Sequence, residues 1–127
     1  RNLLPVDAWA LLQATPDALF IDVRMEIESL YVGRPPGVHM IAWYEYPELT
    51  LTLLRLWPPS NQDRLTRMVM LICRSGKRSS DAGHALEAAG FTDVVNVVHG
   101  FEGDLNAQFH RSTLNGWRHD GLPWEQM

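Results

Sequence analysis

Six consecutive apolar residues, Met68-Val69-Met70-Leu71-Ile72-Cys73, run directly into the glycine-containing cationic loop Arg74-Ser75-Gly76-Lys77-Arg78. A continuous apolar run of this length is strand-sized and is the strongest strand in the chain. A second run, Ala18 to Val23, ends in charge at Asp22 and Arg24 and fits a strand buried on both faces of a parallel sheet. Such a sheet needs helices to cover it, and the sequence supplies them. Beyond the loop, Ala82, Ala85, Leu86 and Ala89 recur at i, i+3, i+4 and i+7, with Gly90 placed as a C-terminal stop. Pro5 to Ala14 sets Val6, Trp9 and Leu12 at near-helical spacing between an entry proline and Pro16. Pro47 to Leu56 does the same with Leu49, Leu53 and Leu56, stopped by Pro58-Pro59. Val38 to Ile41, after the breaker Gly33-Arg34-Pro35-Pro36-Gly37, and Val94 to Val98 read as further strands, and Asn106 to Arg111 as a short helix. The alternation predicts an α/β fold, a single domain over residues 1–127 with a mostly parallel central sheet and helices on both faces. Sites in such sheets form beyond the carboxyl ends of the strands, where Asp22, Cys73 and the loop after Val98 fall.

The charge balance narrows the partners. With net charge −4 and no long basic run, a broad footprint for nucleic acid or an anionic membrane is not expected, so any cationic site is local. No stretch approaches the about 18 apolar residues of a membrane span. The single cysteine excludes an internal disulfide, and the absence of CxxC or HExxH spacing argues against metal; no cofactor is expected. This composition suits a reducing, cytoplasmic compartment. The five histidines, His39, His84, His99, His110 and His119, are scattered without ligand spacing; Glu26 and Glu28 read as a solvated turn, and the tail tryptophans as packing anchors. Tyr44, Tyr46 and Trp57 read as covering the core rather than lining an acceptor surface.

A cysteine ending an apolar strand is by itself an ordinary buried thiol. Its neighbours argue for more. A strand, tight loop and helix in succession aim backbone N–H groups and the positive end of the helix dipole into the loop. Arg74, Lys77 and Arg78 add cationic side chains at a helix end that repels cations, which implies an anionic guest and favours the thiolate. Gly76 permits a positive φ, and Ser79 or Ser80 can cap the helix. A thiolate in an anion cradle supports attack on phosphorus or on the outer sulfur of a species such as thiosulfate, and the residues alone do not separate the two.

The segment Cys73-Arg74-Ser75-Gly76-Lys77-Arg78-Ser79 resembles the active-site loop of single-domain rhodaneses, the thiosulfate sulfurtransferases. Phe20-Ile21-Asp22-Val23-Arg24 is similar to that family's early strand with its Asp-x-Arg ending, and Gly33-Arg34-Pro35-Pro36-Gly37-Val38 to its Gly-His-Ile-Pro-Gly-Ala segment, with Arg34 for histidine and Val38 for alanine. Asn96 to Phe101 resembles the late strand and loop, although Gly100-Phe101-Glu102-Gly103 departs from the common Gly-Gly form; Asn115-Gly116-Trp117 through Gly121-Leu122-Pro123 resembles the carboxyl end. The resemblance implies that Cys73 attacks a sulfane sulfur and becomes a persulfide. Loop N–H groups over Ser75, Gly76 and Ser79 hold it, Arg74 and Lys77 attract an anionic donor such as thiosulfate, and Arg78 braces the loop or shares that task. Asp22, with Arg24, is an orienting acceptor beneath the loop or a structural ion pair. The acceptor it implies is cyanide in assays, a thiol, or a protein. A six-residue loop marks the sulfurtransferases; the related phosphatases and arsenate reductases carry a longer one, so they are the weaker alternative beside a non-enzymatic interaction module.

Overall fold

The computed structural model describes residues 1–43, 45, 48 and 65–126. Five parallel strands form one sheet: β1 (Asn2–Leu3), β2 (Leu19–Asp22), β3 (His39–Met40), β4 (Val69–Ile72) and β5 (Val94–Val97), in the order β1-β5-β4-β2-β3. The helices are α1 (Pro5–Ala14), α2 (Glu26–Val32) and α3 (Lys77–Ala88). The predicted helix over Pro47 to Leu56, with Tyr44, Tyr46 and Trp57, lies outside the described residues. Among the described residues no helix is long and apolar enough to cross a membrane.

Both central strands are buried at every position, and their side chains divide by parity. Leu19, Ile21, Val69 and Leu71 pack with Ala82 and Leu86 of α3, along with Phe91 and Val94. Phe20, Met70 and Ile72 pack on the opposite face with Ala8 of α1, Phe101 and Trp117. A strand with apolar side chains on both faces is thus fully used, which is the physical reason these runs show no alternation.

From β2 the chain steps outward to β3 in one direction, then returns through β4 and β5 in the other. The reversal lies between β2 and β4, whose last residues Asp22 and Ile72 are register partners. That is the crevice position in an open parallel sheet, and Cys73 is the next residue.

Two expectations are corrected. Asn106 to Arg111 is a turn rather than a helix: the Asn106 side chain accepts the N–H groups of Gln108 (2.9 Å) and His110 (3.0 Å), an Asx arrangement that competes with helical bonding. Glu26 and Glu28 belong not to a solvated turn but to the first turn of α2, where their charge suits the dipole and Glu28 accepts the Met25 N–H at 3.1 Å.

Candidate functional site

The site is built on the step from β4 to α3. Cys73 closes the strand and is 1% exposed; its Sγ accepts the Gly76 N–H at 3.0 Å and lies 3.2 Å from Ser79 Oγ. Gly76 makes the short loop possible: at φ +107° it immediately precedes α3, a conformation L side chains rarely adopt. Ser79, fully buried one turn into α3, also donates to Asn96 Oδ1, and Asn96 Nδ2 donates to Asn2 Oδ1 at 3.1 Å. The sulfur therefore heads a polar chain that crosses from β4 to β5 and β1.

The turn after β5 clamps the loop from the other side. Phe101 N–H donates to Cys73 O (2.8 Å), and the N–H groups of Glu102 and Gly103 to Arg74 O (2.9 and 3.2 Å). This approach depends on Gly100, where a Cβ would lie 2.4 Å from Cys73 O. Gly100-Phe101-Glu102-Gly103 thus ties down the cysteine loop despite its departure from the Gly-Gly form.

Asp22 and Arg24 form a fully buried ion pair. Arg24 Nε meets both carboxylate oxygens at 3.0 Å, its Nη2 meets Oδ2 at 2.7 Å and Gly33 O at 2.8 Å, and its guanidinium sits 4.7 Å over the Phe101 ring. The pair therefore bears on Cys73 at one remove, through Phe101; the two residues are structural partners rather than contacts of the sulfur. Arg34 likewise turns away: it pairs with Glu125 in an antiparallel bridge, with Nε 3.3 Å from Oε1.

The loop cations do not converge. Arg78 is bidentate to Glu28, Nη1 to Oε1 at 2.7 Å and Nη2 to Oε2 at 2.9 Å. That hydrogen bond, acting against burial, raises the Arg78 guanidinium pKa above its usual value. Burial pushes the Glu28 carboxyl up, but the Arg78 hydrogen bond and charge together with the Met25 N–H outweigh it and hold the pKa below the ordinary 4.5. The anion that answers Arg78 is thus internal. Lys77 borders an open depression of about 400 Å³ with Ser75, Gly76 and His99, whereas Arg74 borders a different cleft with Glu28 and Glu102. The sequence alone does not reveal Glu28, because its segment reads as a solvated turn rather than a helix; nor does it reveal Ser79–Asn96, although an asparagine inside Val-Val-Asn-Val-Val is a visible signal that something polar must meet it.

Chemically, the arrangement presents one enclosed sulfur with a backbone donor and a hydroxyl upon it, in a braced loop at a sheet's switch point. Such a sulfur can act as a nucleophile and hold negative charge.

Comparison with known proteins places the molecule. A family model, the rhodanese-like domain, matches residues 4–107. An uncharacterized protein of Rickettsia prowazekii (strain Madrid E) is 26% identical over 129 residues, covering 98% of this chain and 97% of its own length. Among solved structures, Rv0390 from M. tuberculosis superposes with a TM-score of 0.81 at 35% identity, over 99% of this chain and 97% of that one. The 30 kDa polysulfide-sulfur transferase homodimer from Wolinella succinogenes superposes at 0.67 with 25% identity, over 99% and 78%. On the match of the family model over most of its length, with a buried strand-ending cysteine in the loop it spans, this chain belongs to the rhodanese-like domain family.

Proposed function

We propose that the protein is a sulfurtransferase that carries sulfane sulfur on Cys73, taking it from thiosulfate or a related donor and passing it to a thiol, or to cyanide in assays. The observation that carries this reading is the Sγ itself, with the Gly76 N–H at 3.0 Å and Ser79 Oγ at 3.2 Å in a loop that reaches α3 within four residues. Similarity to the Wolinella succinogenes polysulfide-sulfur transferase supports it.

In the first step the Cys73 thiolate attacks the sulfane sulfur of thiosulfate. A new S–S bond forms, the donor's S–S bond breaks, and its electron pair leaves with sulfite, so charge balances with a persulfide anion on Cys73. The Gly76 N–H and the Ser79 hydroxyl are the groups positioned to stabilise sulfur charge, while Arg74 and Lys77, both exposed, draw the donor in. In the second step the acceptor's lone pair takes the outer sulfur and returns the bonding pair to Cys73 Sγ. The nearly complete enclosure of Cys73 favours a small donor in the first step.

The test is intact mass after incubation with thiosulfate, for wild type and Cys73→Ala. Wild type is expected to gain one sulfur and to release it as thiocyanate on addition of cyanide; the variant gains none. A wild type that neither gains sulfur nor yields thiocyanate sinks the reading, and steady turnover of an aryl phosphate would replace it with phosphatase chemistry.

A further inference from the structure

The cysteine loop borders an open cleft of about 560 Å³ on the side of Arg74. We propose that this cleft is the docking site for an acidic peptide segment of the protein that takes sulfur from Cys73, an inference that rests on the sulfurtransferase reading above.

Charge is the first observation. Three arginines line the cleft, Arg74, Arg111 and Arg118, in a chain whose net charge is −4. None of these three has a carboxylate partner among the described residues, unlike Arg1, Arg24, Arg34 and Arg78. Two are nonetheless held in place by neutral groups. Arg118 donates to Val32 O at 2.9 Å and to Ser112 Oγ at 2.8 Å, and lies 5.4 Å over the Trp124 ring; Arg111 donates to Gly103 O at 2.7 Å. Of the two acids in the wall, Glu28 is consumed by Arg78, which leaves Glu102. Fixed guanidinium groups without carboxylates are preorganised for carboxylates that arrive from outside.

Backbone strain is the second. Phe109 is 80% exposed and has φ +61°, a left-handed conformation that is strained for a bulky residue. Asn106 enforces it: its side chain accepts two N–H groups, its own N–H donates to His110 O at 2.8 Å, and its Nδ2 donates to Thr113 Oγ1 at 2.9 Å. No core packing repays the strain, because the ring points outward beside Leu105, itself 45% exposed, on the wall that also carries the arginines. A rigid loop that displays an aromatic anchor among arginines has the composition of an interface hot spot.

Reach is the third. Cys73 is enclosed, but the outer sulfur of its persulfide stands about 2 Å beyond Sγ. An acceptor docked alongside Arg74, the residue next to Cys73, has a shorter distance to cross to that outer sulfur than to the enclosed thiol if the persulfide extends toward the cleft, which the acceptor assay decides. The acceptor thiolate forms a bond to the outer sulfur of the persulfide anion; the Sγ–S bond breaks and its electron pair returns to Cys73, so two negative charges stand on each side of the step. The acceptor leaves as a persulfide and the Cys73 thiolate is regenerated.

The experiment uses two end-blocked peptides, Glu-Glu-Leu-Gly-Cys and Lys-Lys-Leu-Gly-Cys, and their serine analogues. The serine peptides are titrated into unloaded protein and followed by amide shifts; the cysteine peptides are compared as acceptors from loaded protein, with cyanide as reference. The acidic peptide is expected to bind with shifts centred on residues 105–118 and to accept sulfur with about tenfold higher kcat/KM than the basic one, an advantage lost as about 1 M salt shortens the screening length to about 3 Å. Phe109→Asn, which tolerates the positive φ, and Arg111→Gln are each expected to lower that kcat/KM about tenfold while leaving loading and cyanide turnover unchanged. Equal binding of both peptides, or preference for the basic one, overturns the proposal. So does salt-sensitive self-association abolished by Phe109→Asn without peptide binding, which would assign the cleft to a second copy. Should Cys73 fail to load with sulfur, the sulfurtransferase reading falls, and the titration still decides whether the cleft takes an acidic peptide.

Discussion

At Gly100 two constraints coincide. Its φ is +60°, and an added Cβ would lie 2.4 Å from Cys73 O and 2.6 Å from Arg74 C, both backbone atoms that cannot swing aside. Gly100→Ala is therefore expected to cost about 2–4 kcal/mol, from strain plus overpacking. Gly121 has a similar φ of +79° but open space around it, so Gly121→Ala isolates the strain and should cost about 1–2 kcal/mol. Urea denaturation of both measures the difference, and equal losses would show that the approach to the cysteine loop relaxes freely. A displaced loop should also load sulfur more slowly, by about a hundredfold for a shift near 1 Å. Ser79 poses a separate question of protons. Its hydroxyl has one hydrogen, and Asn96 Oδ1 and Gly76 O only accept; when it donates to Asn96 it offers Cys73 a lone pair, and when it turns to the sulfur it leaves Asn96 Oδ1 without that donor. Ser79→Ala removes both options and leaves the half-buried Asn96 Oδ1 without its hydroxyl donor, for an expected loss of about 1 kcal/mol together with slower loading. A variant as stable as wild type would mean that another donor replaces the hydroxyl.

Between elements, the bidentate Glu28–Arg78 pair joins the first turn of α2 to the second residue of α3, and so ties the helix start that directly follows the cysteine loop to α2. The linkage sign follows from the depressed Glu28 pKa. Above the ordinary carboxyl value of 4.5 the folded and unfolded states are both ionised and the pair's contribution is complete. As pH falls below that value the unfolded chain binds a proton first, and the contribution is lost through the folded pKa. Glu28→Gln is thus expected to be less stable than wild type near neutrality, with the gap narrowing below about pH 4 as measured by denaturation at several pH values; a gap constant down to acid pH would show the ion pair contributes nothing. This brace was not legible beforehand, for a physical reason. The helix α2 spans seven residues, and its apolar side chains Ile27, Leu30 and Tyr31 are exposed, so it shows no buried periodic face. By contrast the spacing of Ala82 and Leu86 announced α3 and its buried face, and that of Trp9 and Leu12 announced α1, although Val6 of the same pattern is exposed and Ala8, outside it, is the buried residue. The strand runs were equally plain, though the start of α3 at Lys77 precedes the first residue of the apolar pattern because the helix begins on the loop's own cations. Cys73 and Gly76 could be read from a strand meeting a tight loop. The ties through Asn96, Gly100 and Glu28 are contacts between distant segments, on which local pattern is silent.

For the molecule as a whole, the sheet's two faces are covered by different means. One is closed by α3, a regular amphipathic helix, while the other relies on α1 together with an irregular carboxyl-terminal segment. Trp117 is the centre of that second cover. It is fully buried, meets Trp9 edge-on and Phe20 obliquely at 5.6 Å each, and donates its indole N–H to Pro123 O at 2.7 Å. Backbone bonds from Trp117 N to Gly100 O (2.8 Å) and from Arg118 N to Phe101 O (3.1 Å) extend the same segment onto the turn that clamps the cysteine loop. The family model ends at residue 107, so a part of the chain beyond its span supplies core and secures the site. Trp117→Ala should accordingly cost about 3–5 kcal/mol, a large share of the about 5–15 kcal/mol by which a domain is stable. Because the loss falls on one face, the loop around Cys73 should loosen before the sheet does. Amide exchange in Trp117→Ala is expected to quicken at Phe101, Glu102 and Gly103 more than at Val69 to Ile72, whose bonds lie inside the sheet. Uniform acceleration at both sets would instead mean that the tail and the sheet open as one unit, and that the carboxyl-terminal segment has no selective hold on the cysteine loop.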